Sequence, residues 1–158
     1  MTVVVGPTSD DRSLSAASDR HGVVMVSAEL GGLGSISPEA YRVGSAGVRG
    51  VLAHFGIAPP PPEGVPEPGT RFMLIPDRSY NAMATAPGLF FPAAKLGDAV
   101  MEGQLAGTIY PVDDLTRPTV EVRFQRKAIV VARRASTLVR RGEFVFNTAI
   151  EVDEAKVY

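Results

Sequence analysis

Glu29 is the side chain best placed to do chemistry. It follows an apolar, β-branched run, Val23-Val24-Met25-Val26-Ser27-Ala28, and precedes Leu30-Gly31-Gly32-Leu33-Gly34. A carboxylate at the carboxyl end of a buried strand, followed by glycines, sits where open α/β sheets gather their ligands. The glycines let the backbone approach a bound molecule and adopt positive φ. A carboxylate held there can act as a general base. It needs a group to act on, and the rest of the chain does not supply an obvious one.

Metal ligands are scarce. There are two histidines, His21 and His54, and no cysteine. A catalytic zinc usually takes three protein ligands, often two of them histidines. No His-x-x-Glu or His-x-x-x-His spacing exists. Each histidine falls at a predicted helix C-terminus, where an imidazole interacts well with the helix dipole. The chain by itself is expected to bind no metal or other cofactor. A second polar group, Arg78, Tyr80 and Asn81, could reach a substrate carboxylate, because a guanidinium binds carboxylates in bidentate fashion. Ordinary strand-end polarity explains these three at least as well. Arg123, Arg126 and Arg133 are equally ambiguous.

Composition narrows the class. The 158 residues are 45% apolar, so a packed core is attainable and general disorder is not expected. Sixteen Lys and Arg against seventeen Asp and Glu leave a net charge of −1. That balance argues against nucleic acid as a partner. The basic residues between Arg123 and Arg134, and Arg140-Arg141, are interrupted by apolar residues at strand spacing. Solvated strand faces explain them. Lacking cysteine, the chain has no disulfides, thiolate nucleophile or Cys-type zinc site. No apolar run approaches the roughly 20 residues of a membrane helix, so no membrane partner is expected. Met1-Thr2-Val3-Val4-Val5-Gly6 lacks the basic region and long apolar stretch of a signal peptide, which makes the cytoplasm the default location.

The elements that must position Glu29 follow from caps and periodicity. Thr2 to Val5 reads as a short buried strand, and Gly6 to Asp10 as a turn. Ser13 to His21 reads as a short helix stopped by Gly22. Val23 to Ala28 is the second strand, which completes a βαβ unit with parallel pairing. Ser37 caps a longer helix with Pro38 at its first position and Glu39 in its first turn. Tyr41, Val48, Leu52 and Phe55 repeat at helical spacing, and Gly56 ends the helix. Gly44, Gly47 and Gly50 fall three apart, a row that suits close packing. Pro59 to Gly69 is a stiff, proline-rich linker. Seven short strands follow: Arg71 to Ile75, Tyr80 to Thr85, Gly88 to Pro92, Leu105 to Tyr110, Thr119 to Phe124, Ala128 to Arg133 and Glu143 to Ala149. Short strands in series suggest a small barrel or sandwich.

The division is therefore an α/β segment, residues 1–58, a linker, 59–70, an all-β domain, 71–152, and a tail, 153–158. Two strands and two helices do not make a whole α/β fold. Apolar strands such as Thr2 to Val5 and Val23 to Ala28 need neighbours on both sides. The chain is expected to begin inside a larger α/β domain, or a second copy completes the sheet. Open edges and uncovered apolar faces also predict self-association.

The stretch Val26-Ser27-Ala28-Glu29-Leu30-Gly31-Gly32-Leu33-Gly34, then Ser37-Pro38-Glu39 and a helix ending Leu52-Ala53-His54-Phe55-Gly56-Ile57, resembles the succinylglutamate desuccinylase/aspartoacylase family. Ala86-Pro87-Gly88-Leu89-Phe90-Phe91-Pro92, followed by Leu96-Gly97-Asp98-Ala99-Val100-Met101-Glu102-Gly103-Gln104, is similar to that family's C-terminal domain. The resemblance covers nearly the whole chain, but only the later half of a family member. It implies that the α/β segment is part of a zinc-carboxypeptidase-like domain. It also implies a zinc-dependent hydrolase acting on N-acylated amino acids or related small molecules. In that setting Glu29 matches the carboxylate that activates zinc-bound water and then protonates the leaving amine. The family's His-and-Glu metal motif and its later His ligand have no counterpart here. The resemblance thus puts zinc in the complete protein and makes the 158 residues alone inactive.

The β-part, with Gly97-Asp98 and Gly142-Glu143 each opening a strand, also resembles the barrel-sandwich hybrid of biotinyl and lipoyl carriers. The turn that should carry their modified lysine, Pro111 to Pro118, has none, and Lys127 falls in the next connection. A covalent carrier is disfavoured. The alternative to a hydrolase is a non-catalytic binding or oligomerisation module built on such a domain.

Overall fold

The computed structural model describes residues 2–5, 13–32, 34–60 and 71–153. The chain divides into two compact units, residues 8–68 and residues 1–7 with 69–158. Each has its own logic. The turn expected over Gly6 to Asp10, nearly all of the proline-rich linker and the end of the tail lie outside the described residues.

The smaller unit holds both helices. Helix α1 spans Leu14–Arg20, with Ser13 accepting the Ala16 N–H at 3.1 Å as its N-cap. Gly22 stops it at φ 62°, as expected. Helix α2 spans Pro38–His54, with Ser37 accepting the Ala40 N–H and Pro38 opening the first turn. Glu39 is bidentate on Arg42, and that guanidinium holds its carboxyl below the usual range. Gly56, at φ 67°, follows the end of α2.

The expected strand Val23 to Ala28 does not form. These residues run without regular structure and are exposed throughout, Val24 at 88% and Val26 at 80%. The physical reason is the lack of a partner. A strand exists only through the groups it pairs with, and among the described residues no other segment pairs with this one in a ladder. The βαβ unit therefore does not form either. The close-packing reading of the glycine row holds at one position. Gly44 receives Leu30, whose Cδ1 would stand 2.5 Å from a Cβ there, while Gly47 and Gly50 have nothing within 4 Å.

The larger unit is two sheets. Strand β1 (Thr2–Val5) pairs in parallel with β2 (Arg71–Leu74), not with a strand after α1. A 3₁₀ turn, Arg78–Tyr80, leads into β3 (Asn81–Met83). Then come β4 (Gly88–Pro92), β5 (Ala99–Val100), β6 (Leu105–Tyr110), β7 (Val120–Arg123), β8 (Ala128–Arg133), β9 (Leu138–Val139) and β10 (Phe144–Val152). One sheet runs β1-β2-β10-β8-β5, with β3 also on β10; the other runs β7-β6-β4-β9. Among the described residues no closed barrel forms, which corrects the barrel expectation; the barrel-sandwich topology is likewise not confirmed. Arg71 on β2 is bidentate on Glu151 of β10, both bonds at 2.9 Å, and keeps that exposed carboxyl low.

Between the sheets lies the core: Phe90, Ile109, Val122 and Phe124 from one side, Ala82, Val100, Val130, Val145 and Phe146 from the other. Phe146 meets Phe90 edge-on at 5.9 Å. Three turns use one device. The amides of Lys95, Met101 and Arg140 donate to the side-chain oxygens of Asp98, Gln104 and Glu143, three residues on. A left-handed glycine (97, 103 or 142) precedes the acceptor each time. This is the physical content of the repeated Gly-Asp and Gly-Glu pattern.

Close approach governs Gly107. A Cβ there would stand 2.5 Å from the Phe90 ring. Gly107→Ala is therefore expected to cost about 3 kcal/mol, the upper part of the overpacking range, read as a fall in the urea midpoint at unchanged m-value.

Candidate functional site

Glu29 stands on a constrained turn. Upstream, the Val23 N–H donates to the Ser18 carbonyl at 2.9 Å, and the Ser18 hydroxyl donates to Met25 Sδ at 3.6 Å. Downstream, Leu30 lies over Gly44 of α2. Gly31 takes φ 85°, and a Cβ there would collide with the Ser35 carbonyl. Gly32 and Ser35 close the turn with reciprocal backbone bonds of 3.2 and 2.9 Å, and the Ser35 hydroxyl adds a third at 2.8 Å. Of the glycines after Glu29, Gly31 and Gly34 (φ 76°) take the positive φ expected of them, and Gly32 does not. Glu29 itself is exposed, with no hydrogen bond or ion pair among the described residues. Leu30, the next residue, helps line a shallow, open concavity of about 440 Å³ with Ile36, Tyr41, Gly44, Ser45, Val48 and Arg49; Glu29 is not part of its lining.

His21 caps α1, its N–H bonded to the Ala17 and Ser18 carbonyls. His54 ends α2, edge-on to Phe55 at 5.1 Å. Both are exposed, and no three metal-binding side chains meet among the described residues.

Arg78, Tyr80 and Asn81 lie in the other unit. Asp77 caps the 3₁₀ turn by accepting the Ser79 N–H at 2.6 Å. Arg78 is exposed, and Tyr80 and Asn81 are half-buried. The Tyr80 carbonyl accepts the buried Thr148 hydroxyl at 2.7 Å, so its backbone is a fixed structural point. Asn81 pairs in register with Asn147, a residue the sequence reading did not single out. Among the described residues, both Oδ1 atoms are buried without a partner. The available signal was an asparagine inside the otherwise apolar run Phe144 to Ile150. No described helix is long and apolar enough to cross a membrane.

No protein-family model matches the chain. Over 135 residues it is 32% identical to the N-alpha-acetyl-L-2,4-diaminobutyric acid deacetylase of Halomonas elongata, covering 82% of this chain and 37% of that protein. The crystal structure of a succinylglutamate desuccinylase/aspartoacylase from Rhodobacter sphaeroides superposes with TM-score 0.82 and 29% identity. That match covers 97% of this chain and 46% of the other. The product-bound ectoine utilization protein EutE (DoeB) from Ruegeria pomeroyi gives 0.83 and 29%, over 94% and 45%. The chain is similar in sequence and fold to succinylglutamate desuccinylases and aspartoacylases, and it spans less than half the length of the relatives it matches.

Proposed function

We propose that these residues are the C-terminal part of a hydrolase that cleaves the amide bond of N-acylated amino acids, with Glu29 as general base and then general acid. The setting of the carboxylate supports this most directly: exposed, unpaired among the described residues, and next in sequence to Leu30, which packs on Gly44 ahead of the turn closed by Gly32 and Ser35, in a chain whose relatives are named as deacylases. The Glu29 carboxylate takes the proton of water as its oxygen bonds to the acyl carbon. It returns that proton to the amine nitrogen as the C–N bond breaks, releasing acid and amine. Arg78, Tyr80 and Asn81 remain weak candidates for substrate contact. The family resemblance implies zinc. The residues described do not fit it, since no ligand set comes together among them.

The 158-residue chain is accordingly expected to retain no stoichiometric zinc by elemental analysis and to hydrolyse no N-acetyl or N-succinyl amino acid above background. Zinc at one equivalent together with turnover would overturn the division of labour proposed here.

A further inference from the structure

A carboxylate that moves a proton must be held where that proton is. Glu29 makes no hydrogen bond or ion pair among the described residues, so its neighbours in sequence must place it. Leu30, the next residue, lays its side chain on α2 at Gly44, where a Cβ would stand 2.5 Å from Leu30 Cδ1. Gly31 follows at φ 85° with no room for a Cβ beside the Ser35 carbonyl, and Gly32 and Ser35 close the turn. Leu30 is thus the anchor nearest the carboxylate, and it ties the loop to a helix.

The helix carries a cost at this contact. Glycine inside a helix is unfavourable relative to alanine, and α2 has glycine at 44, 47 and 50. At Gly47 and Gly50 a Cβ would meet nothing within 4 Å. Of the three, Gly44 is the one where the missing methyl makes a seat for another side chain. Alanine would serve the helix better, but it would not leave that seat.

We propose that Gly44 is a positioning residue for Glu29: its bare backbone seats Leu30, and the seated Leu30 fixes the carboxylate one residue before it. This rests on the hydrolase reading and adds to it how the base is aimed. Misplacing a catalytic group by about 1 Å costs on the order of 10²-fold in rate. The displaced atom in a Gly44→Ala chain is the far end of a side chain, so Leu30 turns aside, the helix stays folded and the aim is lost.

Steady-state hydrolysis of an N-acetyl amino acid by the complete protein, with a thermal melt on each preparation, tests this. Gly44→Ala is expected to lower kcat about 10-fold with KM little changed, part of the full misplacement penalty, while Tm holds or rises as for any such change in a helix. Gly47→Ala alters the same helix with no side chain to displace; it should keep the parental kcat. The decisive variant is Leu30→Val/Gly44→Ala, which moves one methyl group across the contact. The new Cβ then stands 3.9 Å from the Leu30 Cγ position, an ordinary contact, and volume-conserving exchanges are the best tolerated. This double variant should recover kcat to within about 3-fold of the parent, the non-additivity expected of touching residues. A change in helix propensity alone predicts no such rescue. Parental kcat in Gly44→Ala, an equal loss in Gly47→Ala, or a double variant no better than Gly44→Ala overturns the proposal while Glu29→Gln remains inactive. Near-parental kcat in Glu29→Gln instead removes the hydrolase role of Glu29, and the proposal with it, so the two failures are distinct.

Discussion

Glu29→Gln, made in the complete protein, is expected to lower kcat for an N-acyl amino acid by about 10³-fold, the middle of the range for loss of a general acid–base group. Glutamine keeps the length and the hydrogen-bonding shape of the side chain. What it loses is the capacity to hold a proton between the attack on the acyl carbon and the departure of the amine. KM should change little, because the carboxamide still fills the position. Stability should also change little: Glu29 is exposed and makes no ion pair among the described residues, and exposed substitutions of that kind stay within about 0.5 kcal/mol. Metal content should match the parent. Steady-state kinetics, a thermal melt and elemental analysis on the same preparation separate these readouts. A variant with near-parental kcat removes Glu29 from the chemistry. A variant that loses metal along with activity reassigns it to metal retention.

The parts legible in the sequence were those specified by short-range rules. Ser13, Ser37 and Pro38 start the helices because their side chains and ring act within one turn. Gly22 and Gly56 mark the helix ends because left-handed backbone excludes most other residues. The strands from Arg71 onward were found because turn residues bracket each run, although β5 and β9, two residues each, left too little pattern to see. What failed depends on partners. Val23 to Ala28 has the composition of an interior strand, yet composition records only what a segment can pair with. β1 was read as the neighbour of that run, but its hydrogen bonds go to β2, nearly seventy residues away. The same limit hid the Asn81–Asn147 pair, which exists only through register. Around Glu29, the motif was legible while the anchoring was not: Leu30 over Gly44 joins a loop to a helix face that no local pattern names.

In the 158-residue chain, the amides of α1 and α2 are expected to exchange hydrogen nearly as fast as unstructured peptide, while those of β6, β8 and β10 exchange at least ~10³-fold more slowly. The contrast follows from burial. In the smaller unit Ala16 is the one described apolar residue fully enclosed, and α2 buries none of its seventeen. Val23, Val24, Val26, Val48, Phe55 and Ile57 all face water. A lone helix of that length is marginal without a packed face, so its amides open at little cost. The larger unit encloses Phe90, Ile109, Val130, Val145 and Phe146 between two sheets, and its central strands open only with the whole unit. Its stability, several kcal/mol for a domain of this size, sets the slow rate. If the smaller unit belongs to a larger sheet, completing that sheet should remove the contrast. In the full-length protein the amides of Val24, Val26 and Ala28, hydrogen-bonded to new neighbours, should become as slow as those of β10. Exchange followed by mass spectrometry on both proteins measures this directly. Strong protection of α2 in the 158-residue chain would mean that its apolar face is already covered, by a second copy or by packing that the exposed side chains do not reveal. The proposal that this unit is part of a larger sheet would then fall.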